Sequence, residues 1–253
     1  MISKIFISVF LMVFSATSFA FDNEAQKLFD NGQYEDSIRR ITSRPELKKN
    51  LSNVMLLAYS NMQLGLFTKQ ESYSKEYDTY HDLFADKVGI DDLSSILFFV
   101  NSSDKPDVVK SAREVLRDVL EKITKVDDII KMVPFTESSD MDSREYALSS
   151  MHRILEPIRD IVKDGGTMRP VDLKVFQNQS IIKAAIQNIE KISAASKVLV
   201  DIEEPALESL KTSANEKGSK DVIDDINSAI TKRLKTYPNS TWYSATGKKI
   251  VSR

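Results

Sequence analysis

Apolar residues recur at intervals of three and four along most of this chain, and this spacing is typical of helices with one buried face. A clear example runs from residue 106 to 126, where the apolar positions are Val108, Ala112, Val115, Val119, Ile123 and Val126. Pro106 suits the first turn of this helix, and Asp104 is the residue expected to cap it. No stretch alternates apolar and polar residues as a half-buried strand does. The pattern therefore predicts an all-α fold.

Glycine and proline divide the pattern into helices of different lengths. Breaks near Gly32, Pro45 and Gly65 predict short helices between residues 22 and 80. A longer helix opens at Ser143, and a kink is expected inside it at Pro157, because proline removes a backbone donor.

The second half of the chain is predicted to be helical up to its tail. Gly165 and Gly166 end the helix that contains Pro157. The stretch from Pro170 to Ile202 predicts the longest helix, about 30 residues and about 45 Å if uninterrupted. The remaining predicted segments are two helices over 204–215 and 220–236 and a flexible, loop-like tail over 237–253.

The first twenty residues have the features of a secretory signal peptide. Lys4 gives a positive start, and residues 5–14 form an apolar core interrupted only by Ser8. Ser18 and Ala20 are small residues at the two positions that a signal peptidase recognises. An apolar core of about 10 residues is too short to span a bilayer, which takes about 20. We therefore expect cleavage after Ala20 and no stable membrane anchor.

The chain has no cysteine. This excludes a disulfide framework, and it excludes lipid attachment to an amino-terminal cysteine, as occurs in bacterial lipoproteins. A chain of this size needs no covalent crosslinks if it is exported by a bacterium. We expect a periplasmic protein, with the extracellular space as the alternative location.

The charges of the chain nearly balance, with 35 basic and 37 acidic residues. Lys4 is the one charged residue among the first twenty, so the predicted mature chain has 34 basic residues, 37 acidic residues and a net charge of −3. This balance does not indicate a nucleic-acid or anionic-membrane partner. The oligomeric state is left open by the sequence.

A 33-residue repeat marks the region over 21–83. The recurring residues are Ala25, Leu28, Phe29, Gly32, Tyr34 and Ile38 in the first copy, and Ala58, Asn61, Met62, Gly65, Phe67 and Glu71 in the second. A small residue, a glycine and an aromatic residue at this spacing are typical of a helical hairpin. This region therefore resembles tetratricopeptide repeats.

The resemblance implies hairpins that stack into a superhelix with a concave, peptide-binding groove. The first-helix face that lines the groove in this family would present Ser52, Met55, Tyr59, Met62 and Gln63 to a partner. The alternative is that the methionine and aromatic members of this set are core, as such residues at helical spacing more often are. Residues 84–236 would then complete the fold as a bundle or irregular solenoid, either as a separate domain or continuous with the repeats.

The residues that usually carry catalysis are sparse. Neither His81 nor His152 has a partner at metal-ligand spacing, so we expect an aromatic packing surface around His81 and a helix-packing or solvent-facing role for His152. Asp140 and Asp142 resemble the start of a calcium loop but lack its later ligands, and capping is the expected role. Phosphate-binding, dinucleotide-binding and serine-nucleophile motifs are absent from the sequence. We expect no cofactor and no metal.

Trp242 and Tyr243 form a conspicuous aromatic pair outside the helical pattern. Such a pair can anchor a partner, because aromatic side chains bury much area at little entropic cost. It can equally fold back onto the helical body.

These observations favour an exported, non-enzymatic protein-binding or scaffold protein that holds a partner segment in a repeat groove. One alternative is a secreted effector, or a periplasmic inhibitor or immunity protein. Another is a helical cell-wall-directed enzyme, which would need carboxylates from separate helices to converge in a cleft.

Overall fold

The computed structural model describes residues 21–202 continuously and, beyond them, isolated positions and two short strands. The continuous part is helical, which confirms the all-α prediction for these residues. The chain forms two compact units, unit 1 over Met1–Ser95 and unit 2 over Ile96–Arg253. The boundary expected from the sequence, between residues 83 and 84, lies inside a helix.

Unit 1 is built from antiparallel neighbours along the chain. Its helices are α1 (Asn23–Asp30), α2 (Tyr34–Thr42), α3 (Leu51–Thr68) and α4 (Glu71–Ala85), with 3₁₀ turns at Leu47–Lys49 and Ile90–Asp92, and α5 (Leu93–Val100) begins at its end. Helix α1 packs against α2, α2 against α3, and α3 most extensively against α4. The connections from α1 to α2 and from α3 to α4 are short, which makes each of these two pairs a hairpin.

Helix α3 is the centre of unit 1. Its 18 residues include no charged side chain, and twelve of them are buried, which is typical of a helix surrounded by protein. Among the described residues, no helix combines the length and the apolar character that a membrane crossing requires.

The two glycines of the 33-residue repeat have different conformations. Gly32 has a φ of +74° and lies in the turn between α1 and α2, as predicted. Gly65 lies inside α3, so the predicted break there is wrong: the chain turns at Lys69, which has a φ of 56°. Gly65 instead allows close packing, because the position of a Cβ at this residue would lie 3.2 Å from Ser74 Oγ.

Unit 2 continues the helical pattern. Its helices are α6 (Pro106–Lys122), α7 (Ile129–Met132), α8 (Met141–Lys163), α9 (Pro170–Phe176), α10 (Gln179–Asn188) and a helical stretch over 193–202, with 3₁₀ turns at Val126–Asp128 and Val133–Glu137. Helix α8 packs against α6 and against the turn at Val133–Glu137, which α10 also contacts. Helix α9 packs against the turn at Val126–Asp128.

The predicted single helix from Pro170 to Ile202 is wrong, because it is three helices. The Asn178 side chain accepts hydrogen bonds from the backbone N–H groups of Ser180 and Ile181, and so begins α10. The Asn188 side chain donates to Thr136 O at 3.0 Å and to Ala184 O at 2.9 Å, where α10 ends. The longest helix in the described part of the chain is therefore α8, with 23 residues.

The predicted caps have mixed outcomes. Asp140 caps α8 as expected, accepting from Ser143 N at 2.9 Å. Helix α6 begins at Pro106 as predicted, but its N-cap is Lys105 without a side-chain hydrogen bond, and Asp104 pairs with the Lys105 ammonium instead. The helix α8 continues through Pro157 and ends just before Gly165, which has a φ of +92°.

The predicted helices over 204–215 and 220–236 lie outside the continuously described residues. Within the tail, Trp242–Tyr243 and Lys249–Val251 form an antiparallel strand pair, with Trp242 opposite Val251. The predicted loop is wrong at these five residues. Strands of two and three residues are too short to produce an alternating pattern in the sequence.

Candidate functional site

The residues predicted to line a repeat groove lie on α3. Ser52, Met55, Tyr59 and Gln63 are buried, and Met62 is half-buried. Ser52 Oγ is 2.7 Å from Ser95 Oγ, a contact within unit 1. The burial favours the core interpretation of this set, and partner binding by these residues stays a prediction.

A row of aromatic rings connects this core to α4. The Tyr59 ring packs edge-on against Phe84, with centroids 5.9 Å apart. The Phe84 ring in turn packs against His81 at 5.0 Å, and His81 against Tyr77 at 5.3 Å. His81 therefore lies in an aromatic packing surface, as its sequence neighbours indicated.

The end of α3 carries the most exposed large apolar side chains that the structure describes in unit 1. At the end of α3, Phe67 is 71% exposed and Leu66 is 52% exposed. Of the fifteen residues of α4, all of them described, Phe84 is the one that is fully buried. Tyr73, Tyr77 and Tyr80 are half-buried and lie on one side of α4 by their spacing.

We call this region the α4 surface and define it by five residues: Leu66, Phe67, Tyr73, Tyr77 and Tyr80. Tyr73 packs against α3 at Gly65, where the position of an added Cβ would lie 3.7 Å from Tyr73 Cβ, and the turn at Lys69 joins this end of α3 to α4. The Phe67 ring stacks on the buried Tyr34 ring, with centroids 6.1 Å apart, which fixes one edge of the surface.

The charges on α4 are mostly negative. The helix has four carboxylates, Glu71, Glu76, Asp78 and Asp82, and one lysine. Lys75 Nζ lies 3.0 Å from Glu71 Oε1, on the exposed side of the helix. Burial raises the pKa of the Tyr80 phenol, and the neighbouring Glu76 carboxylate raises it further. The α4 surface therefore combines aromatic side chains with an acidic border.

A second candidate lies in unit 2, where His152 of α8 meets Asp201. Asp201 Oδ2 is 2.6 Å from His152 Nδ1, and Asp201 Oδ1 is 2.5 Å from Arg159 Nη1. The carboxylate itself is completely buried, whereas the imidazole is partly exposed. Burial raises the pKa of Asp201, and the hydrogen bond from His152 and the charge of Arg159 offset this in part.

A buried carboxylate that holds a histidine through Nδ1 can orient the imidazole for proton transfer at Nε2. Here His152 Nε2 faces Glu156, with 3.7 Å between Nε2 and Oε2. Within the part of the chain that the structure describes, no three metal-ligating side chains are placed to hold an ion. The arrangement is therefore chemically closest to a buried ion-pair network that joins two helices.

Sequence analysis did not predict the pairing of His152 with Asp201. The available signal was the position of Asp201 between Val198 and Ile202, in the apolar stripe of its helix. An acidic residue at a core position requires a partner, because a lone buried charge is costly. The partner is 49 residues away and could not be named from spacing.

The predicted aromatic pair Trp242 and Tyr243 takes part in the carboxy-terminal strand pair through its backbone. The positions of their side chains lie outside the described structure. Their roles as partner anchor or as part of the helical body both stay predictions.

No family model matches the chain, and no curated protein or solved structure matches it. The tetratricopeptide resemblance therefore stays a prediction from the repeated residues.

Proposed function

We propose that this chain is an exported protein-binding protein that uses the α4 surface to hold a basic segment of a protein partner. The observation that supports this most directly is the exposure of Leu66 and Phe67, which precede the half-buried tyrosines of α4 in the chain. Aromatic residues are the usual anchors of protein interfaces, because they bury a large area with few rotatable bonds.

The acidic border specifies the chemistry of the partner. Four carboxylates against one lysine give α4 a net charge of −3 with His81 neutral. A segment with lysine or arginine beside one or two aliphatic side chains would match both properties. Burial of an aliphatic anchor contributes about 1.5–3 kcal/mol, whereas each exposed ion pair contributes about 0.2–1 kcal/mol. The ion pairs would therefore set selectivity and speed of association more than affinity.

The predicted signal peptide supports the periplasm as the place of action. A secreted effector or a periplasmic inhibitor would use the same kind of surface. The genes next to this one distinguish these roles, since a neighbouring toxin or secretion gene would favour them over a scaffold.

The proposal is tested by selecting peptides that bind the purified chain from a random peptide library. We expect enrichment of lysine and arginine beside aliphatic residues, with binding that weakens as salt is added. The double variant Phe67→Ser/Tyr77→Ser should lose this binding with unchanged helical content in circular dichroism. Ile161→Ser is the control, because Ile161 is an exposed apolar residue of unit 2, 58% accessible. Enriched peptides that are acidic, or that bind the double variant equally well, would contradict the proposal.

A further inference from the structure

Unit 2 contains a cavity of about 530 Å³ that is separate from the His152–Asp201 pair. Its walls come from the segment after α6, from α8 and from the start of α9. The lining includes Lys125, Val126, Asp127, Arg153, Ile154, Ile158, Arg169 and Val171. A volume of this size is within the range of about 300–1,000 Å³ that small-molecule sites occupy.

One part of the lining is apolar. Val126 and Ile154 are buried, at 5% and 7% exposure, and Ile158 and Val171 are half-buried. These side chains come from three different elements, so the apolar wall is a product of the fold. A hydrocarbon group placed against it would be removed from water, which is favourable in proportion to the area covered.

The other part of the lining is cationic, and Arg153 is held in a fixed orientation there. Its Nη2 donates to two carbonyl oxygens at the end of α6, Leu120 O at 2.9 Å and Ile123 O at 2.8 Å. These bonds use one nitrogen and leave the guanidinium charge without a carboxylate partner among the described residues. Lys125 likewise has no ion-pair partner among them. The cavity thus has two positive charges that form no ion pair with a described carboxylate.

The third cation, Arg169, is already compensated. Its Nε and Nη2 donate to the Asp172 carboxylate at 2.8 and 2.7 Å, so this ion pair is bidentate. The pKa of Arg169 is raised by Asp172 and, more weakly, by Asp127, the carboxylate of the lining. If Asp127 is counted against Lys125 and Arg153, the cavity has an excess of one positive charge. That excess matches a singly charged anion.

We propose that this cavity binds a small amphipathic carboxylate, with its head at Lys125 and Arg153 and its hydrocarbon chain along Val126, Ile154 and Ile158. Two cations set beside an apolar wall distinguish such a ligand from a plain inorganic anion and from a neutral hydrocarbon. The planar guanidinium of Arg153 is suited to a carboxylate, because its donors match the two oxygens.

Three probes separate the requirement for an anionic head from the requirement for an apolar group. They are octanoate, octan-1-ol and acetate, each titrated into the full chain by calorimetry below the concentration at which octanoate forms micelles. We expect saturable binding of octanoate and much weaker binding of the other two. Equal binding of octan-1-ol would overturn the anion requirement. Equal binding of acetate would overturn the apolar requirement, and no saturable octanoate binding would overturn the site.

Two substitutions test where the carboxylate head group of the ligand binds. Lys125→Gln should weaken octanoate binding about two- to five-fold, the effect of losing one exposed ion pair. Lys122→Gln is the matched control, because it removes the same charge three residues away and outside the cavity lining. Equal weakening by both changes would mean a general charge effect and would overturn the assignment of Lys125.

Arg153→Gln should weaken octanoate binding about ten-fold, since a charge-assisted hydrogen bond is lost. Because this change also removes bonds to Leu120 O and Ile123 O, helical content and the unfolding temperature are measured alongside. Unchanged octanoate affinity in a folded Arg153→Gln variant would overturn the role of Arg153.

Discussion

Asp201 is an acidic residue in an apolar stripe, and its partners explain its position. His152 and Arg159 are seven residues apart on α8, so they lie on one side of that helix two turns apart. Both reach the same buried carboxylate. Removing one member of such a buried set costs more than an exposed pair contributes, because a charge is left without compensation. The network therefore fixes the helix over 193–202 on α8.

Asp140 shows how a cap and an ion pair act on one residue. Its carboxylate accepts from Ser143 N and Oγ and from two nitrogens of Arg113, at 2.7–3.1 Å. Burial alone would raise the pKa of Asp140, but the hydrogen bonds from Ser143 and Arg113 outweigh it and hold the pKa below its ordinary value of 3.8. The folded state therefore keeps this group ionised at a pH where the unfolded chain is protonated.

Asp140→Asn is expected to destabilise the fold by about 1–2 kcal/mol at neutral pH, because asparagine still caps a helix but cannot pair with Arg113. The stabilisation by the Asp140 charge is fully present well above pH 3.8 and is lost as the pH falls through the lowered pKa. The difference in unfolding free energy between the two proteins should therefore shrink below pH 3.8. Urea unfolding at a series of pH values measures it.

Asp142→Asn is the control for this prediction. Asp142 also pairs with Arg113, at 2.5 Å, but its side chain is 51% exposed. We expect a loss below about 1 kcal/mol. A larger effect at Asp142 than at Asp140 would contradict the account of Asp140.

At the scale of elements, the two repeat glycines give opposite expectations. Gly65→Ala should stabilise the chain by about 0.5–1 kcal/mol, because alanine is the better residue inside a helix and the nearby Ser74 hydroxyl can rotate away. Gly32→Ala should destabilise it by about 1 kcal/mol, because its φ of +74° is strained for a residue with a Cβ. Thermal unfolding of both variants gives the comparison. If Gly65→Ala were as harmful as Gly32→Ala, the contact between the added Cβ and Ser74, 3.2 Å from Cβ to Oγ, would not be relieved by rotation of the hydroxyl.

Helical periodicity was the part of the architecture that the sequence could reveal. The apolar positions from Val108 to Val119 form the buried face of α6, because three-and-four spacing identifies a buried helix face without knowledge of its partner. Ile123 and Val126 are also buried but lie after the end of this helix. Helix ends were harder to predict. Asn188 ends α10 with help from Thr136 O, a group 52 residues away that only the folded chain brings near.

The candidate sites were less accessible to prediction than the fold. Tyr59, predicted to line the groove, and Phe67, a repeat position, are both aromatic residues of α3, yet Tyr59 is buried and Phe67 is 71% exposed. What separates them is the cover that α4 gives to Tyr59 through Phe84, a tertiary contact. The cavity of unit 2 is likewise assembled from three elements that are distant along the chain.

At the scale of the whole molecule, the predicted amino-terminal signal would decide where both proposed sites act. Ala20→Lys should block processing, because a signal peptidase needs a small residue at that position. Mass spectrometry of the chain produced in a bacterium should show a mature form that begins at Phe21, and only the uncleaved form for the variant. Phe19→Lys is the control, since that position is not one that the peptidase recognises. A mature Ala20→Lys chain that begins at Phe21 would contradict the predicted signal.

The absence of charge in α3 also bears on how the protein reaches its fold. In the folded state the helix is enclosed by α2 and α4. In the newly made chain the same 18 residues form a long segment with no charged residue that would oppose aggregation with other copies of the chain. Association between chains would compete with closure of α4 over Tyr59, and it would do so more strongly at high concentration. The helix that organises unit 1 is thus also the segment that most needs to be covered early.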